Sequence, residues 1–237
     1  MARKPNVLLL PGSLCDEWIW HPQIAALSDS YDVDVPHFLE FDTIEAMAMA
    51  VLASAPERFS LAGHAMGGRV ALEVLRAAPE RVERLALLDS SVHPIRGGEG
   101  ERRKPLIDLA QRDGMEALAR AWLPRIVRPA CLEDLALMDG LTKMMCRLTP
   151  ETYIREASAL LNRPDARTVL PMIKCPTLIL TGRDDPLSPP GPNEELAAQI
   201  PNARLVILDN CSHFPTLEAP QATTAALRQW LSADSIQ

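Results

Sequence analysis

The chain has 237 residues, 47% of them hydrophobic, with 24 Lys and Arg against 31 Asp and Glu for a net charge of -7. This length and apolar content suit one large α/β domain or two small ones with a sizeable core, and they exclude a disordered chain. The acidic balance, with no dense basic stretch and no apolar run near the ~20 residues that span a bilayer, argues against nucleic acid and membranes as partners.

The start, M-A-R-K-P-N, runs straight into Val7 to Pro11, a stretch too short for a signal-peptide core. Short runs at residues 6–10, 32–35, 59–62, 85–88, 177–181 and 205–208 end in Gly, Pro, Asp or Asn and read as buried strands. Between them, residues 44–52, 69–77 and 194–200 carry helix formers with Ala and Leu recurring at three and four. A last helix is expected at 221–231, behind Pro220. The alternation predicts an α/β fold with a doubly wound, mostly parallel sheet whose faces the helices cover.

Residues 93–167 break the alternation. They hold no convincing strand but three or four helical patterns, among them the stripe Tyr153, Ile154, Ala157, Leu160 and Leu161. A polar, glycine-rich segment, R-G-G-E-G-E-R-R-K, opens the region and R-P-D-A-R closes it. A helical insertion is therefore expected at 93–167, with 1–92 and 168–237 forming the core. Met115, Met138, Met144 and Met145 lie in it, where flexible thioethers suit either helix packing or contact with varied apolar ligands. The cysteines, Cys15, Cys131, Cys146, Cys175 and Cys211, are odd in number, scattered and free of C-x-x-C spacing. Neither a disulfide frame nor a zinc site is suggested, and a reducing, cytoplasmic setting is expected.

Chemistry is concentrated at three strand ends. The expected strand 59–62 runs into Gly63-His64-Ala65-Met66-Gly67-Gly68 and then a helix. This matches the strand-turn-helix pattern G-x-S-x-G at every position but the reactive one, where Ala65 stands for Ser. A phosphate-cradling loop would want G-K-[ST] or G-x-G-x-x-G, and neither is present. The strand at 177–181 runs into G-R-D-D-P-L-S-P-P, which supplies Asp184 and Asp185, and the strand at 205–208 runs into D-N-C-S-H-F, which supplies His213. Nucleophile turn, acid and histidine in that order can form a covalent-catalysis triad. Asp89, after residues 85–88, is a further candidate acid. His21, His37, His64 and His93 read as packing or surface residues.

On these motifs the chain resembles the α/β-hydrolase superfamily over nearly its whole length, specifically the small cap-bearing members that include carboxylesterases, methyl-ester esterases and a menaquinone-pathway lyase. The resemblance implies a sheet beginning at the third of the usual eight strands and a helical cap at about 93–167. It favours Asp185 as the acid, because the family's acid usually stands four residues before a proline, as Asp185 does before Pro189; Asp184 would be a turn residue. It also implies an oxyanion hole from the backbone N–H of Met66 and of the loop after the first strand. There Pro11-Gly12-Ser13 stands where relatives often carry His-Gly and the donor, with Ser13 preferred and Leu14 second. Leu14, Trp122, Met144, Met145 and Phe214 are the expected pocket residues, while Trp18 and Trp20 either wall the pocket or, the favoured reading, anchor a helix. Arg120, Arg125 and Arg128 either face a substrate carboxylate or, more simply, water. No metal or organic cofactor is implied, the expected partner is a small-molecule ester or related acyl compound, and the oligomeric state is left open.

The implied mechanism is ester hydrolysis through an acyl-enzyme, and Ala65 removes its nucleophile. Losing that oxygen costs triad enzymes about a million-fold in rate while sparing fold and binding. The chain is therefore expected to bind substrate without turning it over. A deliberate Ser-to-Ala change is favoured over a natural member that became a small-molecule receptor, a lyase or a cofactor-free oxygenase, because the rest of the machinery is intact.

Overall fold

A computed structural model describes residues 4–233. In chain order the strands are β1 (Asn6–Leu10), β2 (Asp32–Asp34), β3 (Phe59–His64), β4 (Val82–Leu88), β5 (Thr177–Gly182) and β6 (Ala203–Leu208). They form one sheet in the order β2-β1-β3-β4-β5-β6, and every neighbouring pair is parallel. The helices are α1 (His21–Leu27), α2 (Ile44–Ser54), α3 (Met66–Ala77), α4 (Glu99–Trp122), α5 (Leu135–Cys146), α6 (Pro150–Leu161), α7 (Pro190–Gln199), α8 (Pro215–Glu218) and α9 (Pro220–Ser232). None among the described residues is long and apolar enough to cross a membrane.

The period-two geometry of a strand explains why apolar runs were legible as buried strands: successive side chains must be covered on opposite faces. In β1, Leu8 and Leu10 enter one core with Met47 and Val51 of α2 and Val70 and Val74 of α3. Val7 and Leu9 enter the other, with Leu27 of α1 and Leu227 and Trp230 of α9. Helices α4 to α6 all lie between β4 and β5, inside the expected insertion, and add Leu118, Leu141, Met144 and Tyr153 to this second core. The insertion's last expected residues are used differently. Ala166, in the 3-10 helix Ala166–Met172 that crosses the expected boundary at 167, packs in the α3 core with Val169 and Leu170 from just beyond it.

Several boundaries move. β3 extends to His64 and α3 begins at Met66, against the expected 62 and 69, so a single residue joins them. Gly67 and Gly68 are poor helix formers, and tertiary packing overrides their propensity. α7 starts at Pro190 instead of 194, because prolines are well tolerated in a first turn whose N–H groups have no helical partner. α4 is broken at Gly114, whose φ of 84° and ψ of 178° are not helical.

Candidate active site

The joint between β3 and α3 is strained. Ala65 has φ 49° and ψ -110°, a region that costs a non-glycine residue about 1–3 kcal/mol. It is held there by its own N–H donating to the Leu88 carbonyl at 2.9 Å and by its carbonyl accepting from Gly68 N–H at 3.1 Å and Ser90 Oγ at 2.9 Å. The glycines are steric requirements: a Cβ at Gly63 would stand 2.3 Å from the Gly67 carbonyl oxygen, and one at Gly67 would stand 2.3 Å from that of Leu10.

Beyond β5, Asp185 is buried and accepts from Leu187 N–H at 2.7 Å through Oδ1. Its Oδ2 lies 2.8 Å from Nδ1 of His213. With the carboxylate ionised, Nδ1–H donates and Nε2 is left as the bare, basic nitrogen. Burial pushes the Asp185 pKa up, but the charge and hydrogen bond of His213, with help from Asp89, outweigh it and bring it down to about 2. Asp184 is exposed and makes no such contact; its carbonyl accepts from Ser212 Oγ at 3.2 Å. Asp89, with φ 46°, accepts from Thr181 Oγ1 and Gly182 N–H, each at 2.9 Å. Burial and the neighbouring Asp185 charge push its pKa up, in the direction opposite to that of Asp185.

His64 is 1% exposed, and its Nε2 donates to the His213 carbonyl at 2.7 Å. Burial and then His213 lower its pKa to about 3. A neutral His64 thus ties the turn around Ala65 to the His213 loop, a role beyond the packing expected for it. Its signal was its place beside the central residue of the motif.

The loop after β1 is pinned by a residue that the motifs did not point to. Glu156 Oε2, on α6, accepts from Leu14 N–H and from Ser13 Oγ, both at 2.8 Å. Burial raises the Glu156 pKa to about 7 against those two hydrogen bonds. Leu14 sits at φ 62° with its N–H committed to Glu156, which takes the second-choice oxyanion donor out of use. No local pattern marks Glu156, because its partners are 142 and 143 residues away.

These groups open on a cavity of about 680 Å³, lined by Ser13, Ala65, Met66 and His213 together with Leu14, Trp122, Met145 and Phe214. Met144 does not belong with them: it is 0% exposed and packs in the second core. Met145, one position on and about 100° further round the helix, faces the cavity instead. Trp18 lies against Gly140 of α5, and Trp20 is fully buried, consistent with anchoring. Arg120 pairs with Glu116 at the surface, while Arg125 and His93 line the cavity.

Comparison with known proteins agrees with this geometry. A model of the alpha/beta hydrolase family matches residues 7–227. The chain is 28% identical over 233 residues to a pimeloyl-[acyl-carrier protein] methyl ester esterase of Nitrosomonas europaea, covering 92% of each. Among solved structures it is similar to a malate-bound thermophilic esterase from Thermogutta terrifontis, with a TM-score of 0.86, 28% identity, and coverage of 98% of this chain and 90% of that one. It is also similar to the enol-lactonase from Burkholderia xenovorans LB400, with a TM-score of 0.86, 26% identity, and coverage of 98% and 93%.

Proposed function

The chain belongs to the alpha/beta hydrolase family, and from that premise we propose that its site is built to hydrolyse carboxylic esters through an acyl-enzyme, with position 65 as the nucleophile's seat. The observation that carries this reading is the Asp185–His213 pair at 2.8 Å opening on the same cavity as the strained turn at Ala65. A serine hydroxyl at 65 would attack the acyl carbonyl while His213 Nε2 takes its proton and Asp185 stabilises the imidazolium. The N–H groups of Ser13 and Met66 would receive the oxyanion. His213 would return its proton to the leaving alcohol, and water would then release the acid by the same route. This chemistry needs no cofactor. Helices α4 to α6 act as the cap over the site, and a cytoplasmic setting belongs to the same proposal.

As written, with Ala65, the chain binds its ester and does not turn it over. Ala65→Ser should release p-nitrophenol from short acyl esters at a rate about a million-fold above the unsubstituted chain. No release from an ester panel by Ala65→Ser would overturn the reading. Ala65 itself favours one alternative: a natural receptor, lyase or cofactor-free oxygenase that uses the pocket without a nucleophile. Turnover by the unsubstituted chain that is lost in His213→Ala would point to the catalytic forms of that alternative. Tight binding of one small molecule that Ala65→Ser does not improve would point to the receptor.

A further inference from the structure

The protein is acidic, yet its active-site cavity is basic. Six arginines line it, Arg69, Arg96, Arg102, Arg103, Arg125 and Arg163, against two carboxyl groups, Asp89 and Glu99. Asp89 is engaged by Thr181 Oγ1 and Gly182 N–H, and Glu99 is spent on Arg163, at 2.6 Å. Among the described residues Arg163 is the one arginine of the six in an ion pair.

Arg69 is the informative member. It stands in the first turn of α3, four residues after Ala65, and is 7% exposed. Its Nη2 donates to Ser91 Oγ at 2.9 Å and to the His93 carbonyl at 3.0 Å, which fixes the plane of the guanidinium. Its Nη1 is buried with no partner. A buried cation outside an ion pair is costly, and here burial and the nearby Arg163 outweigh Glu99 and Asp165 and lower its pKa to about 9. Arg96 and Arg102 are exposed on the same cavity, with Arg103 half-buried beside them. A fixed fork with a spare donor inside and further arginines outward is the arrangement that captures a planar or tetrahedral oxyanion. Leu106, Trp122, Met145 and Phe214 provide apolar wall in the same cavity.

We propose that the cavity takes esters carrying a second, anionic group, a carboxylate or a phosphate, held by the arginines that line it, with the buried Arg69 innermost and Arg96 and Arg102 outward. This rests on the ester-hydrolase reading of the site. The Ala65 chain makes the seat measurable without turnover. Titration calorimetry would compare three probes of matched length: the monomethyl half-ester of a linear dicarboxylic acid, its dimethyl diester, and a methyl ester ending in a phosphate. The charged probes should bind at least about tenfold tighter than the diester, and added salt should shrink that advantage. Arg69→Gln should remove most of the advantage of the charged probes over the diester. Arg96→Gln with Arg102→Gln, two exposed positions that do not threaten the fold, should reduce it about threefold or more.

The tighter of the two charged probes identifies the anion. Equal binding of half-ester and diester, or an advantage untouched by both sets of variants, would overturn the seat. Hydrolysis of neutral esters by Ala65→Ser without any anion preference defeats this inference alone. Arg69-dependent anion binding without hydrolysis by Ala65→Ser leaves the seat standing and defeats the hydrolase reading alone.

Discussion

Around Ala65, a Cβ added at Gly63, Gly67 or Gly68 would stand 2.3 to 2.4 Å from its nearest neighbour; in α4, Gly100 and Gly114 have nothing within 4 Å. The turn between β3 and α3 is specified by close backbone approach, so nearly every residue in it has one permitted identity. Apart from Gly140, where a Cβ would meet Trp18 at 2.4 Å, the helices from Glu99 to Leu161 are specified mainly by apolar packing, which many side chains satisfy provided the volume is kept. A family can therefore vary the helices that meet the substrate while keeping the turn that would present the nucleophile.

The largest test of that contrast is chemical. In an Ala65→Ser background, Asp185→Asn should lower kcat about 10,000-fold, since it leaves His213 in place with the wrong tautomer. Asp89→Asn should cost far less, because Asp89 bonds Thr181 and Gly182 while Asp185 holds His213. Ester-hydrolysis rates for the two variants decide between them. Equal losses would mean that both carboxyls orient His213.

Stability provides the next test. Gly67→Ala forces a methyl against the Leu10 and Pro11 carbonyl oxygens, and about 2–4 kcal/mol of destabilisation is expected. For a chain of this length that lowers Tm by roughly 10 °C. Gly114→Ala meets open space and bears only the strain of its φ of 84°, about 1–2 kcal/mol. Thermal melts that placed Gly114→Ala below Gly67→Ala would reverse the contrast between the two regions.

The same contrast explains what was legible in the sequence. The strands begin or end where Gly, Pro, Asp and Asn punctuate apolar runs. Ala65, Asp185 and His213 were readable because each lies directly beyond such a strand, where position along the chain fixes position in space. Met144 and Met145 were not separable, since helical phase relative to the cavity depends on how α5 docks. Glu156 was invisible for a related reason: its partners, Ser13 and Leu14, come near only after α6 folds back over the sheet. Arg69 was readable as a helix residue, but its unpaired Nη1 is a property of the surrounding loops.

Protons divide the two regions in a way that can be measured. His64, in the turn, has its pKa lowered from 6.5 to about 3 by burial and His213. It favours folding above pH 6.5, and that contribution fades as pH falls toward 3, because the unfolded chain takes up a proton that the folded chain refuses. Glu156, in α6, has its pKa raised by burial from 4.5 to about 7. Its contribution is fully present below pH 4.5 and is lost as pH rises through 7, because here the folded chain keeps a proton that the unfolded chain releases. Between pH 4.5 and 6.5 the two slopes oppose each other, each near 1.4 kcal/mol per pH unit at its limit. Asp185, lowered to about 2, acts below this window. Asp89, raised, contributes equally to any pair of proteins that differ only at Glu156. Chemical denaturation of the unsubstituted chain and of Glu156→Gln across pH 4.5 to 7.5 should therefore yield stability curves whose difference grows by about 2–3 kcal/mol in favour of the glutamine variant as pH rises. Parallel curves would mean that Glu156 is already ionised when buried, its charge held by Leu14 N–H, Ser13 Oγ and the nearby Arg103. In that case the helices would hold the loop after β1 by a fixed charge, with no pH-dependent grip on the turn that carries Ala65.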